Sequence, residues 1–354
     1  RVALASQHEV HIFRLPEGDL TPGEPPQLVL THVLKLDRGY TVSTIMFSDE
    51  DNSRHLGVAI GPESGRPGEE YVVRVWSCET AGSLSPPEDD PRPAELKQKE
   101  GFVSSLDDHK AVVRRMATNK TYLLTADAAG ECKLWQKSRA FAKRGTALLH
   151  AGGVSDLAVD RFFAYSVGTE DRRICAWALP DLSPILAVPV DIPGELLAGL
   201  TGSCPRAEPS QPAPSDVPAT ASTPAASSMT RQPAQLARVN LLRRPPSRWA
   251  GWQGSGRGPK APRGSLFAAG VLREGCEVAG AGAGVLMEWS LGDKPCCQSV
   301  QIAHDSPIVA LVYGPYDNGP LISADSKGVF RVWESLLDRG LCFMQQIELA
   351  CPAN

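Results

Sequence analysis

A chain of 354 residues with 42% hydrophobic content can bury a sizeable core, and length alone would suggest two domains. Its formal charge of -4 excludes recruitment to nucleic acid or membrane by overall charge alone, and no apolar run approaches the roughly 18 residues of a membrane span. The nine cysteines are scattered, odd in number and without a C-x2-C pair, so they argue against a zinc motif or a disulfide framework. Reduced, partly buried thiols in a cytoplasmic protein are expected, with a nuclear location as the alternative.

The chain opens RVALASQHEVHIF, without a methionine or a leader, and reads as the interior of a longer protein. A strand, a turn and a second strand ending at Phe13 are expected there, with LVLTHVLKL as an outer strand. EEYVVRVW closes a strand at Trp76 after the longer turn GPESGRPG. LTADAAGECKLW ends at Trp135, SVGTEDRRICAW at Trp177, VAGAGAGVLMEW at Trp289 and ISADSKGVFRVW at Trp333, followed by FMQQIEL as an outer strand. Each is a short strand, a small-polar turn and an alternating strand that puts every second side chain on one face. The closing aromatics are separated by 63, 59, 42, 112 and 44 residues. A second landmark keeps step with them: His109, His150 and His304 precede Trp135, Trp177 and Trp333 by 26, 27 and 29 residues.

Taken together these residues resemble the WD-repeat family, over most of residues 1–199 and 264–350. The family places Gly-His near the start of a repeat and Trp-Asp near its end. Here Asp108, Leu149 and Ala303 stand in the glycine place, and Gln136, Ala178 and Glu334 in the aspartate place after tryptophan. The resemblance implies a β-propeller of four-stranded antiparallel blades, six of them visible, with a seventh possible in a longer chain. Stacked blades bury faces that one blade cannot bury alone. It also implies a hydrogen-bonded histidine, hydroxyl, aspartate and tryptophan inside each blade. Thr125 and Trp135 match beside His109, but Ala129 fills the aspartate place. Asp171 and Trp177 match beside His150, but Val167 fills the hydroxyl place. Ser323 and Trp333 match beside His304, but Lys327 fills the aspartate place. On this reading no blade has the full set, and Asp127 and Asp325, two residues earlier in their turns, are the candidate substitutes.

The step of 112 residues contains either a hidden blade or an insertion, and composition favours the insertion. Residues 200–263 begin with a Pro-, Ala-, Ser- and Thr-rich stretch that has too few large apolar residues to offset ordering entropy, so disorder is expected. The domain reading is therefore blades over 1–199, an insertion over 200–263, and blades over 264–354. Residues 217–273 lack Asp and Glu. They hold Arg238, Arg243, Arg244 and Arg248 beside Trp249 and Trp252, a basic arm suited to single-stranded nucleic acid or an acidic partner. A solvated linker is the plainer reading.

GAGAGV at 280–285 lacks the spacing of a phosphate loop, and a strand rather than a helix follows. His150, Ser155 and Asp156 are close in sequence, but no nucleophile elbow surrounds them. The expected function is a non-catalytic protein–protein interaction scaffold without cofactor or metal. The alternatives are binding through the basic 231–273 arm, or substrate recognition within a ubiquitin-ligase-type multidomain protein. Partners are expected to be proteins, with no membrane association. The first blade should also lack its innermost strand, because the chain starts on a strand that normally comes second and ends just after the outer strand of the last blade.

Overall fold

The computed structural model describes residues 2–14, 28–36, 39–48, 55–63, 71–78, 102–192, 196, 236–243, 265–272, 282–291, 294–313, 320–336 and 340–348. These residues are almost wholly strand, in six antiparallel sheets. Sheet one has three strands: β1 (Val2–Ala5), β2 (Glu9–Arg14) and β3 (Val29–Lys35). Sheet two comprises β4 (Tyr40–Phe47), β5 (His55–Pro62), β6 (Tyr71–Ser77) and β7 (Phe102–His109). Sheet three has β8 (Val113–Thr118), β9 (Tyr122–Asp127), β10 (Glu131–Gln136) and β11 (Ala142–Leu148). Sheet four has β12 (Val154–Val159), β13 (Phe163–Gly168), β14 (Arg173–Ala178) and β15 (Ser183–Pro189). Sheet five has β16 (Leu236–Arg243), β17 (Ser265–Leu272), β18 (Gly284–Ser290) and β19 (Cys296–His304). Sheet six has β20 (Ile308–Tyr313), β21 (Leu321–Asp325), β22 (Val329–Leu336) and β23 (Gly340–Glu348).

Every sheet is a meander in which each strand pairs antiparallel with the next in sequence. Phe13, Trp76, Trp135, Trp177, Trp289 and Trp333 all lie on the strand before the outermost one of their sheet. Sheet one has no innermost strand among the described residues.

Two irregularities recur. In each four-stranded sheet the first strand bulges against the second near its start, between Val42 and Thr44, Val113 and Arg115, Val154 and Asp156, Leu236 and Arg238, and Ile308 and Ala310. A second bulge sits just before the closing aromatic, at Ile12/Phe13, Val75/Trp76, Leu134/Trp135, Glu288/Trp289 and Val332/Trp333. Bulges raise the local right-handed twist, so the same twist is imposed at the same places in successive sheets.

The chain divides into two compact units, Arg1–Ala187 and Val188–Asn354. In the first unit the core lies between consecutive sheets rather than within them. Val10 and Ile12 pack with Leu56, Val58 and Trp76. Val73, Val75 and Leu106 pack with Val113, Leu123 and Trp135. Leu124 and Leu134 pack with Val154, Leu157 and Trp177. The second unit repeats the arrangement, with Phe267, Ala269 and Leu286 against Ile308, Leu321 and Trp333. Each of these tryptophans thus fills the gap to the preceding sheet, which supplies the large apolar contact a blade needs.

One strand falls inside the stretch expected to be an insertion. β16 spans Leu236–Arg243 and pairs with β17 as the innermost strand of sheet five. Its register breaks twice, between Leu236 and Arg238 and between Val239 and Leu241, so its apolar residues do not alternate in sequence. The blade region therefore reaches back to Leu236. Residues 200–235 and 244–263, with the rest of the disorder expectation, lie outside the described residues.

Candidate functional site

Among the described residues, three sheets carry the same buried polar set. In sheet three the indole Nε1 of Trp135 donates to Thr125 Oγ1 at 2.9 Å, and His109 Nε2 lies 2.7 Å from the same oxygen. On its other side, His109 Nδ1 is 3.1 Å from Asp127 Oδ2. In sheet four Trp177 donates to Ser166 Oγ at 2.8 Å, His150 Nε2 is 2.7 Å from that oxygen, and His150 Nδ1 is 2.8 Å from Asp171. In sheet six Trp333 donates to Ser323 Oγ at 2.8 Å, and His304 Nε2 is 2.7 Å from it. His304 Nδ1 lies 3.3 Å from Asp325 Oδ2, an ion-pair contact outside hydrogen-bond geometry.

The proton arrangement follows from the donors available. Indole can only donate, and a carboxylate can only accept. An N–H on Nδ1 of the histidine then faces the aspartate, and the hydroxyl accepts from the indole on one side and bonds Nε2 on the other. In sheets three and four every group of the set is satisfied, which is what burial requires, whereas in sheet six the Asp325 carboxylate faces His304 Nδ1 without a formed bond.

Two corrections to the sequence reading result: three sheets hold a complete complement of residues, and the hydroxyl of sheet four stands one position earlier. The aspartate in sheets three and six is the substitute that the sequence offers, Asp127 and Asp325 at the end of the second strand, in place of Ala129 and Lys327. Each also accepts two backbone N–H groups of its own turn, from Ala129 and Glu131, and from Lys327 and Val329, which fixes the carboxylate. In sheet four the hydroxyl is Ser166, not the position of Val167, because the turn before Trp177 is one residue longer. Gly168 occupies the strand-end position there, and Asp171 reaches in from the turn. A Cβ at Gly168 would come within 1.9 Å of Asp171 Oδ1, so the glycine makes room for the displaced carboxylate.

Sheets two and five have tryptophan without the set. By register, Val58 and Ala268 stand where the others place a hydroxyl. The Nε1 atoms of Trp76 and Trp289 are buried without an acceptor among the described residues. This yields a comparison. Trp135→Phe breaks a bond inside a buried network, whereas Trp289→Phe removes an N–H that has no partner, so the first should cost about 1 kcal/mol more. Urea midpoints of the two variants measure it, and equal losses would refute the role given to Thr125.

A hydroxyl, imidazole and carboxylate in line is also the geometry of a hydrolytic triad. Here His150 is joined by Ser166 and Asp171 rather than by Ser155 and Asp156. Ser166 is 0% exposed, and the indole of Trp177 occupies the face of Oγ that an electrophile would need. His109, Asp127 and Glu131 present ligand atoms within 4.8 Å of one another, a spacing suited to a metal ion. The ammonium of Lys133 already sits 3.1 Å from Glu131 Oε2, and a second cation would have to displace it.

Lys133 belongs to a second recurring feature. It lies two residues before its tryptophan, is buried, and donates to the carbonyl of Asp108, the residue before His109. Arg331 does the same before Trp333, donating to the carbonyl of Ala303. Asp108 has φ at 103°, a conformation that strains any residue with a Cβ and favours glycine. Its carboxylate bonds Lys143 at 2.5 Å and lies 3.1 Å from Lys133, and these contacts hold its pKa down to about 2. Arg238 and Arg243 of the basic arm lie on β16. Arg244, Arg248, Trp249 and Trp252 lie outside the described residues.

No family model matches the chain, and no curated protein matches it. Among solved structures 1109 chains match, so the likeness is to a widely used fold. One of them, from the crystal structure of a mitotic checkpoint complex, aligns over 98% of this chain and 76% of its own, with a TM-score of 0.56 at 14% identity. The fold class is all-β, a β-propeller of antiparallel blades. At that identity the likeness carries the fold and not a function. Among the described residues no helix is long and apolar enough to cross a membrane.

Proposed function

We propose that this chain is a non-catalytic scaffold for protein–protein interaction, built as a WD-repeat-type propeller. The observation that carries the reading is the use made of its chemically capable side chains. Its buried histidines, hydroxyls and aspartates are bonded to one another inside the blades, where they fix the turns at the blade ends. Rigid turns on a rigid frame bind partners with little loss of conformational entropy. The aligned solved chain belongs to a structure described as a complex, which supports a role in assembly. Free thiols buried at Cys132 and Cys175 suit a reducing compartment, cytoplasmic or nuclear.

The test is affinity capture with the whole chain as bait, followed by mass spectrometry. A second bait carries substitutions of exposed turn residues that leave its melting unchanged. Partners enriched on the first and lost from the second are expected. Identical recovery on both baits and on an unrelated propeller would remove the scaffold reading.

A further inference from the structure

The turns at one end of sheets three and four form a single hydrogen-bonded surface. The β8–β9 turn is built on Asn119, whose side-chain oxygen accepts the N–H groups of Thr121 and Tyr122 at 2.9 and 2.8 Å. The β12–β13 turn repeats it with Asp160, which accepts from Phe162 and Phe163 at 2.7 and 2.8 Å. The two turns are joined directly, Asn119 Nδ2 donating to the Asp160 carbonyl at 2.7 Å. The short helical turn Lys137–Arg139 is tied to the same place, since Lys137 donates from its backbone to the Thr121 carbonyl and from Nζ to the Asn119 carbonyl. It is anchored from below by Phe141, which is buried between sheets two and three and stacks edge-on against His55.

Each turn presents a cation at its tip. Lys120 follows Asn119, Arg161 follows Asp160, and Arg139 ends the helical turn; all three are exposed. Arg161 lies over the ring of Phe162, 5.2 Å from its centroid. None of the three has a carboxylate partner among the described residues. The carboxylates nearby are held within their own turns. Asp160 also accepts the Tyr165 hydroxyl, and Asp181 takes both the N–H and the hydroxyl of Ser183. With Lys137, and counting only the described residues of these turns, four cations stand against two carboxylates, Asp160 and Asp181, on a backbone fixed in advance.

We propose that this surface, formed by Lys120, Lys137, Arg139 and Arg161, is a docking site for an acidic segment of a protein partner. The proposal rests on the scaffold reading and adds a place and a chemistry to it. Charge complementarity selects an acidic ligand. A protein segment is favoured over nucleic acid because the cations form a compact group across two blades rather than a stripe.

The experiment uses the full chain and a fluorescein-labelled Glu/Asp-rich dodecapeptide, read by anisotropy, with a labelled dT12 oligonucleotide in parallel. The triple variant Lys120→Ser, Arg139→Ser, Arg161→Ser should weaken peptide binding by about tenfold with melting unchanged. Arg144→Ser, an exposed cation on β11, should leave it unaltered. Absence of peptide binding to the unmodified chain, equal binding by the triple variant, or tighter binding of dT12 than of peptide would each overturn the proposal. If the proposal falls while affinity capture still shows partners that depend on other turns, the scaffold reading stands and only its location here is wrong.

Discussion

Replacing Trp333 by alanine should destabilise the chain by about 3–5 kcal/mol, the range for removing a large aromatic from a packed interior. Trp333 is 0% exposed and fills the gap between sheets five and six with Leu286, Ile308 and Leu341. Its ring meets Phe343 edge-on at 5.6 Å. The substitution also takes away the donor that Ser323 accepts, leaving that buried hydroxyl with His304 alone. Hydrogen exchange of the β21 and β22 amides, together with the denaturant midpoint, reports the loss. Exchange protection and a midpoint near those of the unmodified chain would refute the placement of this tryptophan in the core.

Acidification between about pH 6.5 and pH 4 should cost the fold roughly 3 kcal/mol through His304 alone. Burial pushes its pKa down to about 4, and the neighbouring Arg331 guanidinium adds to the shift, while Asp325 and Asp305 oppose it. Folding thus disfavours the imidazolium. Between the two pKa values the unfolded chain binds more protons than the folded one, so stability falls as pH drops through this window. The contribution is fully present above the unfolded value and wholly gone below about pH 4. Urea midpoints of the unmodified chain and of His304→Gln, followed from pH 7.5 to 4, separate this residue from the carboxylates. The variant should show a flatter dependence, and parallel curves would refute the assignment.

The blade-closing strands are legible in the sequence because tryptophan after an alternating strand is bulky, rare and positioned by packing between sheets. The histidines are legible for a related reason, being fixed by the hydroxyl on one ring nitrogen and the aspartate on the other. What escapes the sequence is geometry that a small register change creates. One extra residue in the turn before Trp177 moves the hydroxyl from 167 to Ser166, and Gly168 then frees space for Asp171. β16 escapes because two bulges within eight residues destroy the period of two on which strand recognition depends. Asp108 can be read as a lost glycine, but not as a strained residue held by Lys133 and Lys143, since both lysines arrive from strands that follow it. The surface of Lys120 and Arg161 is hidden for a similar reason. Forty residues separate the two turns, and Asn119 joins them only once sheets three and four stand side by side.

The recurrent bulges separate the shape of a blade from the length of its connections. Within sheet two, residues 78–101 join β6 to β7, whereas residues 137–141 join β10 to β11 in sheet three. The closing tryptophan keeps its strand position in both, with a bulge immediately before it. Loop-closure entropy grows only with the logarithm of length, so a connection about five times longer adds roughly 1.4 kcal/mol. That is less than the interior tryptophan contributes. Such a fold can absorb new sequence at the ends of its blades by insertion while its frame stays unchanged, so those ends can change far faster than the blades that carry them.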